Sequence, residues 1–320
     1  MKIVIPVSII FTMITANNIA IAETAWSSGT GYVADDVVYH IPVGDTLIHR
    51  FSALQASGGT SDPQTPVGGT ADLYWLDEGL INMHKAFDIR NLDGSINGAI
   101  SNKSSNASTI EIELTPGTTF DTIGFFGVEG GSVQVDVIDN AETTVFTQTE
   151  QVLANQFVYD YPTYITQGSE WQMRSEIVFD DLPGLVTDNI IDITITNTGD
   201  TAKVGQIVLG TTIEIGQVSG PGSSVGQEDY SLKNRNQFGN LNYIEGNYTK
   251  LNTYDVKVNT DEITRLTLLF AHLRGKPAIY MIDADTDQLG TTTFGVFNDW
   301  SVDHEAAGVS HLTIEIEGFV

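Results

Sequence analysis

The 320-residue sequence contains no cysteine. That excludes a disulfide framework, a thiol nucleophile and any Cys-ligated zinc site, and it leaves packing and hydrogen bonding to hold the fold. Cations are scarce: 14 Lys and Arg stand against 41 Asp and Glu, a formal net charge of −27. A field of that sign repels phosphate backbones and anionic headgroups, so neither nucleic acid nor a membrane surface is expected as a partner. The same acidity suits a saline habitat, solubility at high copy number or cation binding, and composition does not separate these. Long apolar runs are also missing. The stretch 3–14 is interrupted by Pro6, Ser8 and Thr12 and is too short to span a bilayer.

Catalytic patterns are equally scarce. There is no Gly-x-Ser-x-Gly elbow and no Walker-type loop, and the six histidines (His40, His49, His84, His272, His304, His311) never take a His-Glu-x-x-His spacing. The expectation is a protein without catalytic residues, cofactor or catalytic metal. Asp283, Asp285 and Asp287 alternate as calcium ligands do, yet Gln288 stands where an EF-hand loop needs glycine and Phe294 where it needs a bidentate Glu. That triplet reads as an acidic hairpin tip. Carboxylate pairs such as Asp180-Asp181 carry no weight in so acidic a chain, because glycoside hydrolysis needs two of them across a cleft.

What is present is strand-forming material. Glycine occurs 31 times, charged residues are only 17% of the chain, and Thr, Val, Ile and aromatics are spread throughout, which favours many short strands joined by tight turns. The first 22 residues have the outline of a secretory signal: Lys2, an apolar stretch, and Ala20-Ile21-Ala22 before a cleavage point. Against that, Ile3, Ile5, Val7 and Ile9 alternate with period two, so a retained N-terminal strand is favoured.

Four segments follow from the patterning: an N-terminal strand or arm (1–24), a small aromatic module (25–79), a β-sandwich (80–218) and an α+β domain (219–320). The sandwich is read from alternating runs at 109–114, 123–128, 132–138, 190–196 and 203–215, separated by Gly, Asn, Asp and Pro. A jelly-roll arrangement resembling galactose-binding-like domains is the expected topology, from Phe87-Asp88 before a strand, the Pro116-Gly117 turn and the strand 123–127. Residues 216–226, with Gly220-Pro221-Gly222, read as a linker. After the strand at 248–258, Asn259 and Glu262 suggest a capping box for a helix with Ile263, Leu266, Leu269, Phe270 and Leu273 on one face, ended by Arg274, Gly275 and Pro277.

The aromatic module runs Ala25-Trp26, Tyr32, Asp35-Asp36-Val37-Val38-Tyr39, Phe51-Ser52-Ala53 and Tyr74-Trp75. This order resembles the small chitin-binding carbohydrate-binding modules of chitinases, over about fifty residues. It departs from them at Asp35, where they carry glycine, and at 55–59, where their exposed aromatic pair is missing. Sugar binding in such modules depends on aromatic faces stacking on pyranose rings. Trp26, Tyr39, Phe51 and Trp75 are the large side chains available for a core. Tyr32 and Tyr74 are the candidates for exposure, and with Trp75 they form the candidate glycan-binding set.

The C-terminal run carries the broader resemblance: Asp229-Tyr230-Ser231-Leu232-Lys233 with Phe238-Gly239, Arg274-Gly275-Lys276-Pro277, Phe294-Gly295-Val296-Phe297-Asn298-Asp299-Trp300-Ser301, and the closing Leu312-Thr313-Ile314-Glu315-Ile316-Glu317-Gly318. This order is similar to tail-region virion proteins of long-tailed bacteriophages and prophages, often with a carbohydrate-binding-like domain, and residues 3–16 match their opening more weakly. The resemblance implies a structural protein of the distal tail, baseplate or tail tip, located in the virion, oligomeric or symmetrically assembled, docked to other tail proteins and in contact with host surface polysaccharide. The competing expectation is a secreted, extracellular carbohydrate-binding protein or adhesin.

Overall fold

The computed structural model describes residues 1–57, 61–63, 73–90, 100, 102–152, 174–184, 188–219, 222–235, 237–282, 290–306 and 308–319. The fold is mainly β and sandwich-like, with one α-helix among the described residues, Ile263–Leu273. The chain forms two compact units, one of Met1–Val7 with Gly210–Val320 and one of Ser8–Leu209. This division differs from the sequence-derived one in two ways. The aromatic module and the sandwich belong to a single unit, and the N-terminal arm is split, because its strand Lys2–Pro6 is built into the C-terminal unit.

The reason lies in the ladder. Strand Lys2–Pro6 pairs antiparallel on one side with residues 210–214 and on the other with strand Ala278–Met281, so that Ile3 faces both Ile213 and Tyr280 in register. Gly210 permits the close approach: a Cβ there would lie 2.3 Å from the Ile5 carbonyl oxygen. Beyond Ala278–Met281 the sheet continues through Thr293–Ala306, Val309–Gly318 and Tyr248–Asn259. The helix covers this sheet with Leu266, Phe270 and Leu273, each at most 1% exposed. Phe270 stacks on Trp300 at 5.1 Å and meets Phe297 edge-on at 5.5 Å.

The helix lies where the apolar spacing puts it, but the expected capping box does not form. Asn259 makes no side-chain cap bond, and a short 3-10 turn, Thr260–Glu262, leads into the helix. Thr260 supplies the anchorage through its N–H on Gly308 O and its hydroxyl beside Ser310 Oγ at 3.2 Å. The stop is as read: Gly275 has φ +67°, and the Lys276 N–H closes on Leu273 O.

The Ser8–Leu209 unit holds a five-stranded antiparallel sheet in the order Thr144–Gln151, Ser132–Ile138, Ile190–Val204, Ser104–Leu114, Ile14–Asn17. Its inward positions, among them Val133, Val135, Val137, Ile191, Ile193 and Ile195, join one core with Ile123, Phe125, Ile177, Phe179 and Leu209 of a second sheet. Strict alternation of buried and half-buried positions along Ser132–Ile138 is the signature of a strand with one interior face. Each such aliphatic contributes roughly 1.5–3 kcal/mol on burial.

The aromatic module is a four-stranded sheet in the order Thr24–Ala25, Val37–His40, His49–Ala53, Trp75–Leu80, the first pair parallel. The segment read as a linker is part of the C-terminal unit's sheet instead. Gln217–Val218 and Ser224–Asp229 both pair with Tyr248–Asn259, so the described part of this segment joins one sheet rather than separating two domains.

Candidate functional site

The aromatic set predicted to bind glycan does not form a platform. Tyr32 is 8% and Trp75 1% exposed, and both join Val38, Phe51 and Ala53 in the module's own core. Tyr32 meets Trp75 edge-on at 5.2 Å, and its hydroxyl accepts the Ser27 N–H at 2.8 Å, which ties the ring inward. Trp75 Nε1 donates to Ser61 O at 2.9 Å. The expected exposure of Tyr32 is therefore corrected: in so small a sheet, the core claims the large rings first. Tyr74 is half-buried against the same cluster. Among the described residues, the large apolar side chains that the module exposes are aliphatic: Val33, Val43, Leu54, Leu73 and Leu76. The Asp283, Asp285 and Asp287 triplet lies outside the described residues.

A buried histidine pair escaped the sequence reading, since no spacing links its members. His49, 6% exposed, directs Nδ1 at both oxygens of buried Asp77 (3.0 and 3.1 Å) and Nε2 at Asp45 Oδ2 (3.1 Å). Burial depresses the His49 pKa, but the hydrogen bond its Nδ1–H donates to Asp77 and the charges of Asp77, Asp45 and Asp88 outweigh it, so the net shift is upward. With a carboxylate at each nitrogen, the ring has no face left to take a proton from a substrate, and its work is to tie strand His49–Ala53 to strand Trp75–Leu80. His84 is the reverse case. It is fully buried, its Nδ1 accepts the Ile48 N–H at 2.8 Å, and burial with the nearby His49 charge pushes its pKa down to about 4.

On the outer face of the five-stranded sheet, carboxylates stand side by side. Asp192 is opposite Glu113 on one neighbouring strand and Asp136 on the other. With Glu111 and residues 16–18 they line a groove of about 340 Å³. Burial, then Glu113 and Asp136, raise the Asp192 pKa. Among the described residues no group of three or more His, Asp or Glu is placed to hold a metal ion.

The most unusual surface belongs to the C-terminal unit. Strand Ser224–Asp229 pairs with the start of Tyr248–Asn259, and the ribbon runs on into a two-stranded hairpin, Leu232–Arg235 against Leu241–Ile244. Every residue of both hairpin strands is exposed. The apolar members are large: Tyr230 (55%), Leu232 (51%), Phe238 (80%), Leu241 (57%), Tyr243 (51%) and Ile244 (55%). Cross-strand partners share a face, so Leu232 sits with Ile244, while Lys233 sits with Tyr243 and Arg235 with Leu241. Ser231 fixes the base: its Oγ accepts the Tyr243 hydroxyl and the Gly246 N–H, both at 3.0 Å. Lys233 pairs with Asp229 at 2.9 Å and lies over the Tyr243 ring.

Sequence reasoning quoted Tyr230, Leu232, Lys233 and Phe238 for their resemblance but did not find the hairpin. Its short polar-apolar mixture lacks the alternation that marks a half-buried strand. Among these four features, only the ribbon presents an extended apolar surface to solvent. Comparison with known families finds no family model that matches the chain, and comparison with curated proteins finds none that matches it either.

Proposed function

We propose that this chain is a non-enzymatic structural component of a bacteriophage tail, in the distal tail, baseplate or tail tip, and that it works by docking to neighbouring tail proteins. One observation carries the reading. The exposed apolar ribbon of the C-terminal unit falls in the same stretch, 229–319, whose residue order resembles tail-region virion proteins. Large exposed apolar side chains gathered on one short hairpin mark an interaction site, and a hairpin that pairs with no third strand among the described residues is marginal unless something packs on it. Among the described residues no helix is long and apolar enough to cross a membrane. Glycan contact through Tyr32 and Trp75 is not part of the proposal, since both rings lie in the core.

The test is physical association with particles. Antibody raised against the purified chain should label the tail region of intact virions by immuno-electron microscopy, and mass spectrometry of purified particles should recover its peptides. A chain recovered only from culture supernatant and absent from particles would overturn the reading in favour of a secreted adhesin.

A further inference from the structure

We infer that the peptide bond between Asp62 and Pro63, in the aromatic module, is a self-cleavage site. The Asp62 carboxylate attacks its own backbone carbonyl, and His40 supplies the proton that lets Pro63 leave. This is a single turnover of the chain on itself, and it stands apart from the tail reading.

The sequence supplies the reacting groups. Of nine prolines, only Pro63 follows an aspartate. An ordinary amide resists cleavage through its resonance. A proline nitrogen has no hydrogen and belongs to a tertiary amide, so it takes up a proton more readily as the bond breaks. The aspartate side chain, for its part, is the right length to close a five-membered ring on its own carbonyl carbon. A bond forms from the carboxylate oxygen to that carbon as the bond from the carbon to the Pro63 nitrogen breaks. The electron pair goes to the nitrogen, which takes its proton from the His40 imidazolium, and a cyclic anhydride remains on Asp62. Water then opens the anhydride to two carboxylates. The two protons released return to His40 and to the Pro63 amine. One water is consumed, and no oxidant or other reactant is needed.

The fold holds these groups together. Trp75 Nε1 donates to Ser61 O at 2.9 Å, which fixes the residue before the bond, and Pro63 after it is buried. Between these anchors His40 Nε2 lies 2.9 Å from Asp62 Oδ1, so the proton source touches the nucleophile. Such restraint is what raises an intramolecular reaction above its rate in a free chain. His40 ends strand Val37–His40 and meets the Trp26 ring edge-on at 5.2 Å. Across the ladder it is in register with His49, whose nitrogens are taken by Asp45 and Asp77. Among the described residues, Asp62 is therefore the carboxylate left for His40. The Asp62 side chain is 41% exposed, which admits the water that opens the anhydride.

The cut leaves the sheets paired. Strand Trp75–Leu80 still lies on His49–Ala53, and Lys2–Pro6 still lies between residues 210–214 and strand Ala278–Met281. The product is a two-chain molecule that comes apart only on denaturation.

The full chain, purified at about pH 8, is incubated at about pH 5, where a histidine is cationic and an aspartate ionised. Denaturing electrophoresis should then resolve fragments 1–62 and 63–320, whose summed mass exceeds the parent by one water, while gel filtration without denaturant shows the parental size. Asp62→Ala and Pro63→Ala should each abolish the cut. His40→Gln, which keeps a hydrogen bond but carries no proton to give, should slow it by about a hundredfold and flatten its pH profile. Circular dichroism must show the variants as folded as the parent. The parent held in denaturing urea at the same pH should stay whole over the same time. A native chain that remains whole, a cut as fast in urea as in buffer, or a His40→Gln chain cut at the parental rate would each overturn the inference. The second of these is the ordinary acid lability of the dipeptide, with no part played by the fold.

Discussion

Asp35 shows what one residue records. The structure places Asp35 at φ +71°, in the left-handed region that costs a side chain with a Cβ. Its N–H closes on Ala53 O at 2.8 Å, so the turn is held despite the strain. Asp35→Gly is expected to gain ~0.5 kcal/mol and Asp35→Val to lose ~1–2 kcal/mol, read as shifts of the urea midpoint at constant slope. The buried histidines give a pH signature of opposite sign at each member. His49, raised, contributes stability that is complete below the unfolded value near 6.5 and is lost as pH rises through its folded pKa. His84, lowered to about 4, is neutral when folded and protonates when unfolded, so it costs stability progressively from pH 6.5 down to about 4. His84→Gln should therefore shrink the loss of stability between pH 7 and 4.5 by roughly 2 kcal/mol, measured by denaturant titration at each pH. An unchanged pH slope would show that other groups carry it. Neither histidine's role is legible in the sequence: Asp77 and His84's partner Ile48 are far along the chain, and although Asp45 is only four residues from His49, burial cannot be read from a lone His.

At the scale of elements, strands with one buried face were the easiest to read. The run 132–138 alternates in sequence and is a strand over those same residues, and the helix lies where Leu266, Phe270 and Leu273 put it. Elements without such a stripe were missed. Strands Ser224–Asp229, Leu232–Arg235 and Leu241–Ile244 are exposed along both faces and leave no alternation in the sequence, whereas the turn residues Gly220, Pro221 and Gly222 are plain in it. Register was invisible too, and with it the carboxylate row. Asp192 stands between Glu113 and Asp136 on adjacent strands, where like charges directly opposite cost roughly 0.2–1 kcal/mol per pair. Because the folded-state pKa of Asp192 is raised, the cost is fully present at neutral pH and is relieved as pH falls through that value. Asp192→Asn should thus stabilise the Ser8–Leu209 unit at pH 7 by ~1 kcal/mol and give no gain near pH 3, where the native carboxyl is already neutral. A stabilisation equal at both pH values would point to packing rather than charge.

At the scale of the whole molecule, the two ends of the chain meet in one unit, and that dependence can be tested. Strand Lys2–Pro6 lies between residues 210–214 and strand Ala278–Met281, with Ile3 and Val4 wholly buried. A strand does form, but it ends at Pro6 and buries the consecutive Ile3 and Val4 rather than the alternating Ile3, Ile5, Val7 and Ile9, and no local signal says where its partners lie, more than two hundred residues along the sequence. Removing residues 1–7 leaves two strand edges with unpaired N–H and C=O groups and withdraws about 3–6 kcal/mol of aliphatic burial, a large part of the ~5–15 kcal/mol that stabilises a typical domain. Hydrogen exchange on the chain beginning at Ser8 should show lost protection across 248–282 and 293–318, with protection at 104–138 and 190–204 kept, because the second unit draws none of its core from residues 1–7. Joining Val320 through a glycine linker to Met1, with new ends opened after Val7, supplies the strand again and should restore protection to the C-terminal unit. If the shortened chain protects that unit as well as the parent does, the strand is an accessory and the sheet closes without it.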